Sequence, residues 1–390
     1  MGLFNNKNNK PNAYTNESRQ KRQQKRRVVL LIIFSLIILL LSLFSSIIFN
    51  EAITSCKNEN PRDTDDTTAE EATDTTDETE EVKKSCFSCA GFNKSKDTTE
   101  SQAEAKKLTY DVDKYVLKTS DDIKKGDLLL IDNNHLYQFP DSNPNIYALF
   151  DKRTEFPDGI RSIKVIDTTK PKLDIKAINA LNAMADAFYS ATGETGLQAQ
   201  IGYVTKQEQQ SSFDKAVSTY QTVEAAKLHE ALAGGSEYNT GLAVKLGVYT
   251  NGATYTLDST YLEGKYNWIY ENCYKYGFIL RYPAAKTNLT GVNYEPYQFR
   301  YVGYEHAYYM YNNNLCFEEY LNLLRTSYTC TSENVAAAPH LVINGDNGLK
   351  YEIYYVAASA AQTTVPVPNN APYSISGDNV SGFIVTVTVN

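Results

Sequence analysis

Two short runs of this chain place side chains capable of acid–base or metal chemistry close together. The first is Ser236-Glu237-Tyr238-Asn239-Thr240-Gly241-Leu242-Ala243-Val244-Lys245. The second is Glu295-Pro296-Tyr297-Gln298-Phe299-Arg300-Tyr301-Val302-Gly303, with Glu305 and His306 behind it. Glu295 offers a carboxylate of the kind that moves protons in general acid/base catalysis. Tyr238 could bind a metal only as phenolate, from a reference pKa near 10, and Gln298 is a poor zinc donor. Lys245 would set an ammonium beside any cation. At about 4 Å and an effective dielectric of about 20, each unit of like charge costs on the order of 4 kcal/mol. The chain has 4 His against 30 Tyr, which leaves little room for a centre built from several imidazoles.

Other features point to structure more than to chemistry. His306 stands without ligand partners and reads as structural, while His135, His229 and His340 are scattered. Ser236 and His306 lack the oriented acid and the nucleophile elbow of a hydrolytic triad. Glu237 reads as a solvated side chain. Gly234-Gly235 carries neither the lysine of a phosphate loop nor a G-x-G-x-x-G. Cys86-Phe87-Ser88-Cys89 sits in polar sequence with no second pair, where a zinc knuckle needs four ligands. The tyrosines Tyr294, Tyr297, Tyr301, Tyr304, Tyr308, Tyr309 and Tyr311 could line a sugar-binding groove or pack as amphipathic core.

The elements that must position these residues are mixed. Leu173, Ile175, Ile178, Leu181, Met184, Ala185 and Phe188 recur at three- and four-residue steps, predicting a helix with one buried face, stopped at Gly193. A strand over Ala199–Val204 comes next, then a helix over Lys206–Ala233, stopped by Gly234-Gly235. After these come a strand at Ala243–Tyr249, a helix around Glu263–Lys275, a strand at Phe278–Tyr282, a segment at Phe299–Gly303 and a helix near Glu318–Arg325. Short strands are expected at Leu128–Ile131 and His135–Phe139, and through 340–390. The fold class is therefore α+β with antiparallel character.

The net charge of -8 is unevenly spread. Residues 1–27 carry +7, and 28–49 are uncharged, with serine as the only polar residue type. At about 1.5 Å per residue that run spans roughly 33 Å, enough for a bilayer core of about 30 Å. The positive-inside rule puts 1–27 in the cytoplasm and the residues beyond 50 outside. A cleaved leader is the competing reading, but the apolar run is long for one and no A-x-A site lies behind it. Ile53-Thr54-Ser55-Cys56 leaves lipidation of Cys56 as another. Residues 51–82 carry -10 with eight Thr, a self-repelling spacer unable to form a core. The acidic balance argues against nucleic acid as a partner. Cys56, Cys86, Cys89, Cys273, Cys316 and Cys330 all fall on the outer side, where disulfides are permitted. Cys316 and Cys330 flank a helical stretch and could pair, and the sequence leaves the pairing open.

Taken with Trp268–Asn272, Tyr276–Pro283, Lys286 and Thr290-Gly291, the two runs resemble blocks of the VanY-type D-alanyl-D-alanine carboxypeptidases, zinc enzymes that trim peptidoglycan stem peptides. That family carries S-x-H-x-x-G-x-A-x-D and, later, E-P-W-H-F-R-Y-V-G, and the blocks match in order from about 172 to 325. The resemblance implies a D-Ala-D-Ala carboxypeptidase-like domain of LAS/hedgehog type, an antiparallel sheet with packed helices. It implies that Tyr238, Lys245 and Gln298 occupy the family's three zinc-ligand positions, Tyr297 the Trp position, and Glu295 the general acid/base position. The family's S-G-Y-R-S block falls on Ile201–Thr205, so Val204 replaces its Arg, and Gln209 matches a later Gln. Ser236, Tyr203, Gln209, Tyr238 and Gln298 are the substrate-binding residues so implied, with Glu295 vestigial. Where the family uses zinc, these substitutions predict no cofactor, with Lys245 filling the vacated position and pairing with Glu295.

The expected organisation is a cytoplasmic tail 1–27, a transmembrane helix 28–49, a disordered acidic linker 50–107, a small β-rich region 108–171, the carboxypeptidase-like domain 172–328 and a β-rich extension 329–390. The expected protein is single-pass in the bacterial cell membrane, with its C-terminal domain outside. Its expected role is that of an inactive relative binding peptidoglycan stem peptides or an envelope protein. The alternative is an active metallocarboxypeptidase with a non-standard ligand set.

Overall fold

The structure is a computed structural model. It describes residues 107–389 apart from 112, 154–162, 167–169 and 262–263. These lie in the second of two units into which the chain divides, Thr98–Asn390. The expected tail, transmembrane helix 28–49 and acidic linker, with Cys56, Cys86 and Cys89, lie outside the described residues. Among the described residues no helix is long and apolar enough to cross a membrane.

The strands of the first half are β1 Tyr115–Thr119, β2 Ile146–Ala148, β3 Lys164–Val165, β4 Lys172–Asp174, β5 Leu197–Ile201, β6 Ala243–Thr250 and β7 Ala253–Thr256. Those of the second are β8 Phe278–Tyr282, β9 Glu295–Tyr301, β10 Leu341–Asn344, β11 Lys350–Ala357, β12 Gln362–Pro366, β13 Tyr373–Gly377 and β14 Gly382–Val389. The main sheet runs β3-β5-β6-β9-β8, with β7 folded back onto β6. All its pairings are antiparallel except β3 with β5. A second sheet runs β10-β11-β14-β13, and β1 pairs with β12.

Helix α1, Ile175–Thr192, forms where the periodicity predicts it. The Asp174 carboxylate caps it, accepting from the Lys176 N–H at 2.9 Å. Its buried face of Ala177, Ile178, Leu181, Met184, Ala185 and Phe188 packs with Val244, Leu246 and Val248 of β6 and Phe299 of β9. Helix α2, Lys206–Tyr220, opens on a capping box in which Thr205 Oγ1 accepts from the Glu208 N–H at 3.2 Å and the Glu208 carboxylate accepts from the Thr205 N–H at 2.9 Å. It is shorter than expected. Gln221 turns left-handed at φ 71°, and Thr222 caps a separate turn, Val223–Ala226. Strong helix formers favoured continuity to Ala233, and these local caps override them.

Helices α3, Tyr304–Asn312, and α4, Phe317–Ser327, pack against β8 and the second sheet. The tyrosine run divides accordingly. Tyr304, Tyr308 and Tyr309 pack beside that core, Tyr297 and Tyr301 beside the first, and Tyr294 and Tyr311 are exposed. Two expected strands are absent. Leu128–Ile131 are buried without a ladder, held singly by Leu128 N–H on Ser376 Oγ at 2.9 Å and Leu130 N–H on the Asp378 carbonyl at 3.1 Å. His135–Phe139 is likewise irregular. Cys273, Cys316 and Cys330 are all buried free thiols, so Cys316 and Cys330 do not pair here.

Candidate active site

Register assembles the site. Lys245 on β6 lies directly opposite Gln298 on β9, with Ile201 of β5 on its other side. Side chains alternate along a strand. Val244 and Leu246 therefore enter the core while Lys245 turns to the other face. Glu295, the first residue of β9, lies opposite Tyr282 of β8. Tyr238 arrives on a 3₁₀ turn, Glu237–Thr240, that feeds into β6. Its carbonyl accepts from the Val204 and Gly241 N–H groups, each at 3.2 Å. Gly241 takes φ 75° there, and a Cβ would run into Ile146.

Electrostatics sets the protonation states. Burial, with Glu295, Tyr297, Tyr282 and Glu237 nearby, raises the Tyr238 phenol well above its ordinary value. At neutral pH it is a hydroxyl. Burial lowers the Lys245 ammonium, and Glu295 pulls it back up. Burial raises Glu295, and Lys245 opposes that. The two charges feel one another, yet the expected pair does not close to the 4.0 Å of an ion pair. Lys245 Nζ lies instead 4.4 Å above the Tyr297 ring.

A buried charge cluster underlies the site. Glu237 is only 1% exposed, which corrects the reading of it as solvated. One oxygen accepts from Arg281 Nε at 2.6 Å and the other from Arg300. Arg281 also makes a fork to Glu318 at 2.7 and 3.2 Å, and Arg300 donates to the Asp127 carbonyl at 2.8 Å. Both guanidiniums lie over the Phe317 ring. Only half of this cluster was signalled by the sequence: Ile279-Leu280-Arg281-Tyr282 and Phe299-Arg300-Tyr301 each set an arginine within an apolar strand, where it requires an acid, but nothing marked Glu237 as that acid.

The other expected residues surround this core of the site. Ser236 opens the Glu237–Thr240 turn, its N–H donating to Asn239 Oδ1 at 3.3 Å. Asn239, which nothing in the sequence singled out, also donates to the Val204 carbonyl at 2.8 Å and ties the segment after β5 to the turn. Both amide protons of Gln209 are committed to the chain itself, to Glu230 at 2.7 Å and the Ala231 carbonyl at 2.9 Å. Tyr203 donates its N–H to the Lys172 carbonyl at 2.6 Å, beside Val204, whose N–H reaches the Tyr238 carbonyl. His306 is buried between Tyr320, 2.6 Å from Nδ1, and Thr386, 3.1 Å from Nε2, the structural role expected.

Comparison with known proteins bears on this arrangement. The family model "VanY: D-alanyl-D-alanine carboxypeptidase" matches residues 170–304. A D-alanyl-D-alanine carboxypeptidase of Enterococcus faecium is 41% identical over 175 residues, 45% of this chain and 50% of that protein. The chain thus spans about half the length of the enterococcal carboxypeptidases it matches. The YodJ protein of Bacillus subtilis (strain 168) is 31% identical over 246 residues, 59% of this chain and 85% of that protein. Among solved structures, a vancomycin-resistance D,D-pentapeptidase VanY variant in complex with Zn(II) is 30% identical, covering 50% of this chain and 99% of that one, with a TM-score of 0.37.

The match to this family model and to the Enterococcus faecium carboxypeptidase overturns the expectation of no cofactor, because the family's carboxypeptidases depend on zinc. The residues at the three expected ligand positions do not themselves fit such an ion. Tyr238 is held as a phenol, Gln298 is a weak donor, and Lys245 is a cation. Among the described residues no three His, Cys, Asp or Glu stand together as a metal-binding group. The identity carried across most of YodJ, and a family match that runs through both motif blocks, lead to one conclusion: the chain belongs to the VanY D-alanyl-D-alanine carboxypeptidase family.

Proposed function

We propose that this protein is a member of the family that binds peptidoglycan stem peptides without cleaving them. The observation that carries this is Lys245, a basic residue on the central strand opposite Gln298, which the motif resemblance aligns with a metal-ligand position of the family. Hydrolysis by a metallopeptidase needs a held metal with one open position for water. Tyr238, Lys245 and Gln298 do not supply such a site, so Glu295 has no activated water to serve. What favours retained binding is that the surrounding frame stays ordered, with the β6–β9 register, the Tyr238 turn and the buried Arg–Glu cluster beneath it.

The proposal places the domain outside a membrane, held by 28–49 behind the acidic spacer. The charge asymmetry about that segment supports this. Titration of the full chain with a stem pentapeptide tests the function. Saturable binding with the peptide recovered whole is the expected result, and recovery of the tetrapeptide with free D-alanine would refute it. Zinc content offers a second check. Restoring the family's residues with Tyr238→His, Lys245→Asp and Gln298→His is expected to raise bound zinc above that of the wild-type chain.

A further inference from the structure

Lys245 is the basic side chain of the site that lacks a counter-ion. Arg281 and Arg300 are both satisfied by Glu237, and Arg281 also by Glu318. Lys245 is half-buried, forms no ion pair within 4.0 Å among the described residues, and has the Tyr297 ring 4.4 Å away. A half-buried ammonium without an anion has given up water for little in return. Directly across the ladder stands the largely buried amide of Gln298, a donor of two protons.

We propose that Lys245 and the Gln298 amide form a seat for the terminal carboxylate of a bound peptide. The inference rests on the stem-peptide reading above and names the group recognised. A carboxylate brought to Lys245 makes a charge-assisted hydrogen bond in a partly dry site, the strong kind, and restores the missing counter-charge.

The test is calorimetry on the full chain in detergent, with N-acetyl-L-Lys-D-Ala-D-Ala and its C-terminal amide as probes. The expected result is at least tenfold tighter binding of the acid, a preference abolished in Lys245→Met and kept in Lys245→Arg. Gln298→Leu is expected to weaken the preference several-fold and serves as the second variant should Lys245→Met fold poorly. Equal binding of acid and amide would overturn the carboxylate seat and leave the peptide-binding reading standing. A preference that persists undiminished in Lys245→Met would overturn the seat as well. Failure of both probes to bind would overturn the two together.

Discussion

Glu237 and Lys245 have contrasting surroundings, and the contrast yields opposite predictions. Glu237 sits between two fully buried arginines, so Glu237→Gln leaves a guanidinium uncompensated in the core. The expected cost is about 3–5 kcal/mol, read as a lowered denaturant midpoint with unchanged slope. A loss under about 1 kcal/mol would show the cluster to be better hydrated than described. Lys245, in contrast, is charged without a partner. A closed pair with Glu295, as the sequence suggests, would make Lys245→Met clearly destabilising. With the pair open, that substitution is expected to be neutral or to stabilise by about 1 kcal/mol in thermal unfolding, since an unpaired buried charge is a cost. Glu237 was not legible because a lone acid in a polar run reads as surface. Its two partners lie 44 and 63 residues away, and only the fold brings them to it.

Among the elements, those with strong periodicity were legible and those set by local caps were not. Helix α1 and strands β6 and β8 formed where the apolar spacing placed them. Helix α2 ended early because Gln221 adopts φ 71°, a conformation that favours glycine. Gln221→Gly is therefore expected to stabilise by about 0.5–1 kcal/mol, measured by urea unfolding, where a helix interior would be weakened by the same change. Helix α3 was not foreseen because its tyrosines suggested a groove. It carries His306 into a buried slot between Tyr320 of α4 and Thr386 of β14. Burial lowers the His306 pKa below 6.5, against the pull of Glu305 and Asp127. A depressed value means its stabilising contribution is complete above about 6.5 and is lost as pH falls through the folded-state value. Glu295, shifted upward, acts with the opposite sign, so the comparison must isolate His306. Stability measured from pH 7 to pH 5 is expected to fall less steeply in His306→Gln than in wild type. Parallel curves would contradict this.

For the molecule as a whole, boundaries drawn from the sequence are sharper than those of the fold. The segments before and after the carboxypeptidase-like region are tied together. β1 pairs with β12, and the Asn379 amide donates to the Leu130 and His135 carbonyls at 3.0 Å. Strands β10, β11 and β14 share one core with α3 and α4. A fragment 172–328 is therefore expected to lack dispersed amide NMR signals, while 107–390 retains them. A well-dispersed spectrum from the short fragment would show the two parts to be independent. The ties made by Asn379 were not readable because they join ordinary residues separated by more than 200 positions. The family was readable because its signal is local, in two blocks that keep their order within the matched region 170–304. The central claim, that the frame persists while the hydrolytic chemistry does not, is tested most directly by D-alanine release. The full chain, supplied with zinc and a peptide ending in D-Ala-D-Ala, is expected to liberate no D-alanine above a protein-free blank. Release that disappears in Glu295→Gln would contradict the account.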